Sequence, residues 1–241
     1  MLSIISGFFL PFQGLRQIIA PGLRRFVLVP LLVNLIIFST LAYVGVHYFE
    51  VVLDAWLPES SWLAYLRWLF WLLFALTYAV MLFFTFTLLA NLIAAPFNSL
   101  LAARVEERLT GALPPEDRTS LIKTIAPTIT SEIGKLGYLI TRAIPLLILM
   151  LVPGLNLLAS VGWLLFGAWF LAVEYADYPM ANHALNGSKQ RERLRARRFK
   201  SLAFGAGVTV MMLIPVLQFA AMPAAVAGAT RLWVDDLQPQ T

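Results

Sequence analysis

The chain has 241 residues, 60% of them apolar and 13% charged, with a formal net charge of +5 and a mean hydropathy of +0.79. Soluble domains hold about 45–50% apolar and about 25% charged residues, so this balance excludes a soluble globule, a disordered chain and a coiled coil. It leaves an all-α integral membrane protein, because the apolar stretches are long and continuous rather than ten-residue alternating segments.

Residues 1–20 carry Arg16 as their single charge and are expected to form an amphipathic helix along the inner membrane interface. Pro21 and Gly22 stop it. Residues 24–56 are predicted as the first long transmembrane helix. Phe26–Phe49 alone holds 24 residues without Asp, Glu, Lys or Arg, roughly 36 Å of helix. Residues 60–110 are predicted as the second. Trp68–Ala103 holds 36 uncharged residues, roughly 54 Å, more than a bilayer needs, so the excess projects into water or bends at Pro96. Between the spans, Glu50–Arg67 carries Glu50, Asp54 and Glu59 against Arg67, while the other 17 Lys and Arg lie elsewhere. Basic residues mark the cytoplasmic side. Glu50–Arg67 is therefore expected outside, with Trp56, Trp62, Trp68 and Trp71 as an aromatic belt.

Arg118–Thr141 is expected as a surface helix. Two further uncharged runs follow, Ala143–Val173 and Ser201–Thr230, separated by Lys189–Lys200 with seven positive charges and one negative. A single crossing by the first run would put this most basic loop outside. Val152-Pro153-Gly154 and Ile214-Pro215-Val216 interrupt the runs. Residues 135–175 and 201–234 are accordingly read as two re-entrant helical hairpins, with 176–200 as a basic cytoplasmic segment. A turn at membrane depth needs protein or water around it. The competing reading is two kinked single spans. Met150–Asn156 and Met212–Gln218 align at an offset of 62 residues, the kind of repeat found around broken transporter helices.

The stretch Ala20–Phe26 holds the most informative chemistry. Backbone N–H groups at a helix start lack internal partners, and the macrodipole adds partial positive charge. Gly22 permits close approach of an oxyanion. Arg24 and Arg25 add forked donors suited to sulfate, phosphate or carboxylate. An anion site competes here with simple topology marking. Asn34, Asn91 and Asn98 lie in or beside the long spans, as helix–helix hydrogen-bonding or pathway residues. Arg104 and Arg108 share a helix face with Glu107 close to both. Glu174 and Asp177, followed by His183, could relay protons or pair with nearby arginines. With the asparagines, Arg104, Glu107, Arg108, Glu174 and Asp177 are the candidate pathway or gating residues. The sequence carries no H-E-x-x-H, G-x-S-x-G, Walker A or G-x-G-x-x-G motif. No catalytic residue, metal site, cofactor or nucleic-acid partner is expected, and the absence of cysteine removes thiol chemistry.

The pattern Pro21-Gly22-Leu23-Arg24-Arg25-Phe26 through Asn34 resembles that of the CysZ family of bacterial inner-membrane sulfate permeases. Ala95-Pro96-Phe97-Asn98, Val152-Pro153-Gly154-Leu155-Asn156 and Glu174–His183 extend the resemblance, in order, along the chain. It implies sulfate uptake feeding cysteine biosynthesis, two long transmembrane helices with two partly penetrating hairpins, and a homo-oligomer in the lipid bilayer. It also implies that Gly22, Leu23, Arg24 and Arg25 bind sulfate. The alternative function is a non-transporting membrane scaffold or assembly protein whose arginines only set topology.

Overall fold

A computed structural model describes residues 2–59, 64–115 and 121–238, and among these every regular element is helical. The helices are α1 (Leu2–Ile18), α2 (Arg25–Trp56), α3 (Arg67–Thr110), α4 (Leu121–Leu151), α5 (Asn156–Ala181), α6 (Gly187–Ala196), α7 (Arg198–Leu213) and α8 (Gln218–Leu232). A short 3-10 turn precedes α3 and a π-helical turn, Trp233–Leu237, follows α8. Among the described residues, four segments are long and apolar enough to cross a membrane: Arg25–Trp56, Ala64–Thr110, Gly134–Leu151 and Asn156–Ala181. The chain is an all-α membrane protein.

Its contacts separate into two units, Leu28–Phe97 and Met1–Val27 with Asn98–Thr241. The first holds the middle of α2 and most of α3. Aromatic side chains zip it together: Phe49 stacks on Phe74 at 3.9 Å, Phe74 on Tyr78 at 4.9 Å, and Phe38 meets Phe86 at 5.1 Å. Tyr78 Oη donates to the Leu41 carbonyl at 2.5 Å, and its ring fills the space a side chain at Gly45 would need. At the closed end Arg67 donates to Asp54 and to the Leu57 carbonyl, both at 2.6 Å. The rest of this surface is apolar and exposed, Ile36, Leu76, Phe83 and Phe84 among it, which is what lipid-facing helices present. Trp56 and Trp68 are exposed and Trp71 is half-buried; Trp62 lies outside the described residues.

The second unit has a core of small residues. Ten of the 15 residues of α8 are buried, five of them alanine. α1 packs on both α7 and α8, and α5 packs on the same pair. Thus α1 lies against protein on one face and exposes Ile5 and Phe9 on the other. The run Ser201–Thr230, read as equivalent to Ala143–Val173, is instead protein core. Its exposed large apolar residues cluster around the turn, Leu213, Ile214, Val216 and Phe219. Apolar composition alone does not separate lipid-facing from protein-facing helix, and the excess of Ala and Gly in α8 is what allows close packing.

One further element differs from expectation. α4 runs unbroken from Leu121 to Leu151, so the surface helix and the half-span after it are one element; residues 116–120 lie outside the described ones. α3 continues as helix through Pro96. Between α4 and α5 the chain reverses at Val152–Leu155, with Gly154 at φ +85°, and the two helices pack on each other. The break at Pro153 is therefore a hairpin turn and not a kink.

Candidate functional site

Pro21–Arg24 forms the turn between α1 and α2. Gly22 sits at φ +87°, in the left-handed region that costs any L side chain about 1–2 kcal/mol. Leu23 is buried and anchors the turn in the core, while Gly22, Arg24 and Arg25 are exposed. Leu23 and Arg24 donate their N–H groups to the Ala20 carbonyl at 3.1 and 3.4 Å, and Phe26 and Val27 donate to Leu23 and Arg24 at 3.0 and 3.1 Å. Among the described residues, the N–H groups of Gly22 and Arg25 have no protein acceptor. Neither Arg24 nor Arg25 pairs with a carboxylate among them. Arg25 lies 4.9 Å over the Phe26 ring. Two free N–H donors, two free guanidiniums and a helix N-terminus are the elements of an oxyanion site.

Arg108, at the end of α3, donates to the Pro21 carbonyl, and a Cβ on Gly22 would lie 3.2 Å from its Nη2. It therefore fixes the turn from 87 residues away. A cavity of about 280 Å³ opens beside it, lined by Arg16, Gln17, Ala20, Leu23, Val105 and Arg108. Arg16 and Gln17 had no signal in the sequence beyond their place in α1.

The other pathway candidates scatter. Arg104 pairs with Glu107 at 2.8 Å, and Arg108 turns away to Pro21 rather than joining them. Glu106, buried, accepts from Gln238 Nε2 at 3.0 Å and lies 2.7 Å from His183 Nε2. The His183 ring in turn sits 5.0 Å from that of Trp233. Among the described residues Glu174 and Asp177 meet Lys135, rather than an arginine, at 3.4 and 2.8 Å. Asn98 is buried, and its neighbour Ser99 exchanges two hydrogen bonds with Asn182, at 3.0 and 3.1 Å. Asn34 is half-buried and Asn91 exposed, both in the Leu28–Phe97 unit, and neither side chain hydrogen-bonds to a described residue. No group of three or more His, Cys, Asp or Glu suited to a metal occurs among the described residues.

Known proteins share this chain's sequence over nearly its whole length. A family model described as sulfate transporter CysZ/etoposide-induced protein 2.4 matches residues 10–223. A sulfate transporter CysZ of Pseudomonas fluorescens (strain Pf0-1) is 45% identical over 225 residues, 92% of this chain and 90% of the relative. The protein of that name from Pseudomonas aeruginosa (strain LESB58) is 43% identical over 225 residues, 92% of each. A more distant one, from Pectobacterium atrosepticum, is 40% identical over 237 residues, 95% of this chain and 85% of its own length.

Proposed function

The chain belongs to the sulfate transporter CysZ/etoposide-induced protein 2.4 family, and from that premise we propose that it carries sulfate across the bacterial inner membrane, supplying sulfur for cysteine synthesis. It works as a channel or secondary transporter, not as an enzyme, and assembles from several copies of itself in the bilayer. Sulfate binds at the Pro21–Arg25 turn. The observation that supports this most directly is the pair of unpartnered N–H groups, Gly22 and Arg25, flanked by two guanidiniums free of any described carboxylate.

Each part of the turn then has a task. Gly22 lets the backbone approach the anion without a side chain in the way. Leu23 holds the turn in register by its burial. Arg24 and Arg25 supply charge and forked donors, and the start of α2 adds its dipole. Arg108 engages the Pro21 carbonyl and adds a third guanidinium next to the turn.

The charge pattern supports a cytoplasmic position for the basic segments and an outer position for Glu50–Arg67. A hydrogen bond to a charged group contributes about 1.5–3 kcal/mol, so Arg24→Ala or Arg25→Ala is expected to weaken sulfate binding roughly 10- to 150-fold. Isothermal calorimetry of the purified protein measures this, and labelled-sulfate uptake into proteoliposomes measures its consequence. Binding within twofold of wild type in both variants sinks the site. Absence of specific uptake by wild type favours a scaffold over a transporter.

A further inference from the structure

Three helices meet around Tyr138 of α4. Its hydroxyl accepts from Trp169 Nε1 of α5 at 3.0 Å. Arg142, one turn further along α4, places its guanidinium carbon 5.6 Å from the ring centroid, and Arg191 of α6 places its own at 4.9 Å. Among the described residues neither arginine has a carboxylate partner. Acids are nevertheless close. Asp177 and Glu174 both pair with Lys135, one turn before Tyr138. Asp177 also accepts from Nε2 of Gln190, the residue preceding Arg191. Two like charges thus converge on one ring instead of ending on the acids beside them. The ring face attracts each of them, and an anion bound between them would relieve their mutual repulsion.

The surroundings say which anion is at hand. Toward the hairpin turn the exposed surface is apolar: Ile144, Leu147 and Ile148 on α4, and Leu158, Leu164 and Leu165 on α5. Arg142 to Leu151 is about ten residues, roughly 15 Å of helix, half the thickness of a bilayer's apolar core. In the opposite direction lie Lys135 and the charged helix α6. With the hairpin tip at mid-bilayer, the ring of Tyr138 and the indole of Trp169 stand at the level where such side chains occupy the headgroup layer. Arg142 reaches back from the apolar side toward that level, as long cationic side chains do. The anion held permanently at this depth is a lipid phosphate.

We propose that Arg142 and Arg191 clamp the phosphodiester of an anionic phospholipid, with Tyr138 and Trp169 as its platform. The site is separate from the Pro21–Arg25 turn and does not depend on the sulfate reading. An anionic headgroup is favoured over a zwitterionic one because it brings no ammonium to oppose the two guanidiniums.

Native mass spectrometry of the detergent-solubilised protein, incubated with equal amounts of phosphatidylglycerol and phosphatidylcholine, tests it. Wild type is expected to retain phosphatidylglycerol preferentially. Arg142→Gln and Arg191→Gln should each lower its retention roughly 5-fold, the effect of about one basic residue at a lipid surface, and the double variant should lower it further. Lys189→Gln and Arg198→Gln, which remove equal charge nearby, should leave retention unchanged. Circular dichroism and thermal unfolding check the fold, and the single Arg191→Gln variant keeps the test decisive if the double variant does not fold. Equal retention by wild type and both single variants overturns the proposal. So does an equal loss in the Lys189 and Arg198 variants, which reduces the clamp to general charge attraction. Displacement of the lipid by millimolar inorganic phosphate or sulfate also overturns it, because the site then belongs to a soluble anion.

Discussion

At Pro21–Arg25 the groups that surround the turn decide what it can bind. Sulfate is fully deprotonated near neutral pH and only accepts hydrogen bonds, whereas phosphate keeps at least one proton that needs an acceptor. Several acceptors around the turn are engaged, while Gln17 Oε1, on the cavity beside it, and Glu106 Oε2 have no described partner. The Pro21 carbonyl accepts from Arg108, the Ala20 carbonyl from Leu23 and Arg24, Glu107 from Arg104, and Glu106 faces His183 and Gln238. A desolvated phosphate hydroxyl left without a partner costs about 1–3 kcal/mol, roughly 5- to 150-fold in affinity. Phosphate is therefore expected to compete weakly for labelled sulfate at pH 7, and phosphate displacing it as well as unlabelled sulfate does would refute a site made only of donors. Part of this geometry was legible in the sequence. A Pro-Gly pair before two arginines and a long apolar run marks a stop, a turn and a helix start. The role of Arg108 was not legible, since its partner lies 87 residues away and its own neighbours suggested pairing within α3 instead. The grouping of Glu106 with His183 and Gln238, separated by 77 and 132 residues, was hidden for the same reason.

Between helices, glycine decides the packing. A Cβ at Gly14 of α1 would lie 2.0 Å from the Ala224 carbonyl oxygen of α8, one at Gly207 of α7 would lie 2.1 Å from that of Phe8, and one at Gly205 would lie 1.7 Å from that of Ala168 in α5. Each contact is to backbone, which cannot rotate aside. Gly205→Ala must separate α5 from α7, and overpacking of this kind costs about 1–3 kcal/mol or more. The variant is expected to unfold at a clearly lower temperature in detergent, followed by tryptophan fluorescence. At Gly167, also in α5, an added methyl would meet nothing within 4 Å, so Gly167→Ala should be neutral or, through helix propensity, slightly stabilising. Equal melting of Gly205→Ala and wild type rejects this account of the core. The helical class and the breaks at Pro153 and Pro215 were legible because run length, charge and Pro-Gly punctuation are local. Which runs meet protein was not, because Ser201–Thr230 and Ala143–Val173 are equally free of charged residues. The small-residue content of α8 was the one available clue.

For the whole molecule, the hairpin form of α4 and α5 carries a consequence for topology. Because the chain reverses at Val152–Leu155, α6 lies on the same side of the membrane as the start of α4, however deep the tip reaches. Under the proposed orientation, the basic segment 176–200 would then face the cytoplasm together with the basic end of α3, in keeping with the charge rule. Depth is a separate question, since Gly134–Leu151 and Asn156–Ala181 are both long enough to cross. The tip argues for partial penetration. Leu149 to Leu158 contains no charged or aromatic residue, although an outer interface is commonly marked by Trp or Tyr. The turn also meets several of its own backbone needs, with Val152 donating to Leu149 at 3.3 Å, Leu155 to Val152 at 3.2 Å and Ala159 to Leu155 at 2.9 Å, which eases its placement in an apolar layer. The chain's lack of cysteine allows single reporters. Gln190 is buried against Asp177, so the exposed Glu192 is the better position in α6, with Glu59 for the opposite side and Leu151, 83% exposed, for the tip. In intact cells an impermeant maleimide is expected to modify Glu59→Cys from outside, Glu192→Cys only after the cytoplasmic face is opened, and Leu151→Cys from neither face, because a thiol surrounded by hydrocarbon stays protonated and unreactive. Labelling of Leu151→Cys from outside means that the hairpin crosses completely, and labelling of Glu192→Cys from outside inverts the charge-based orientation.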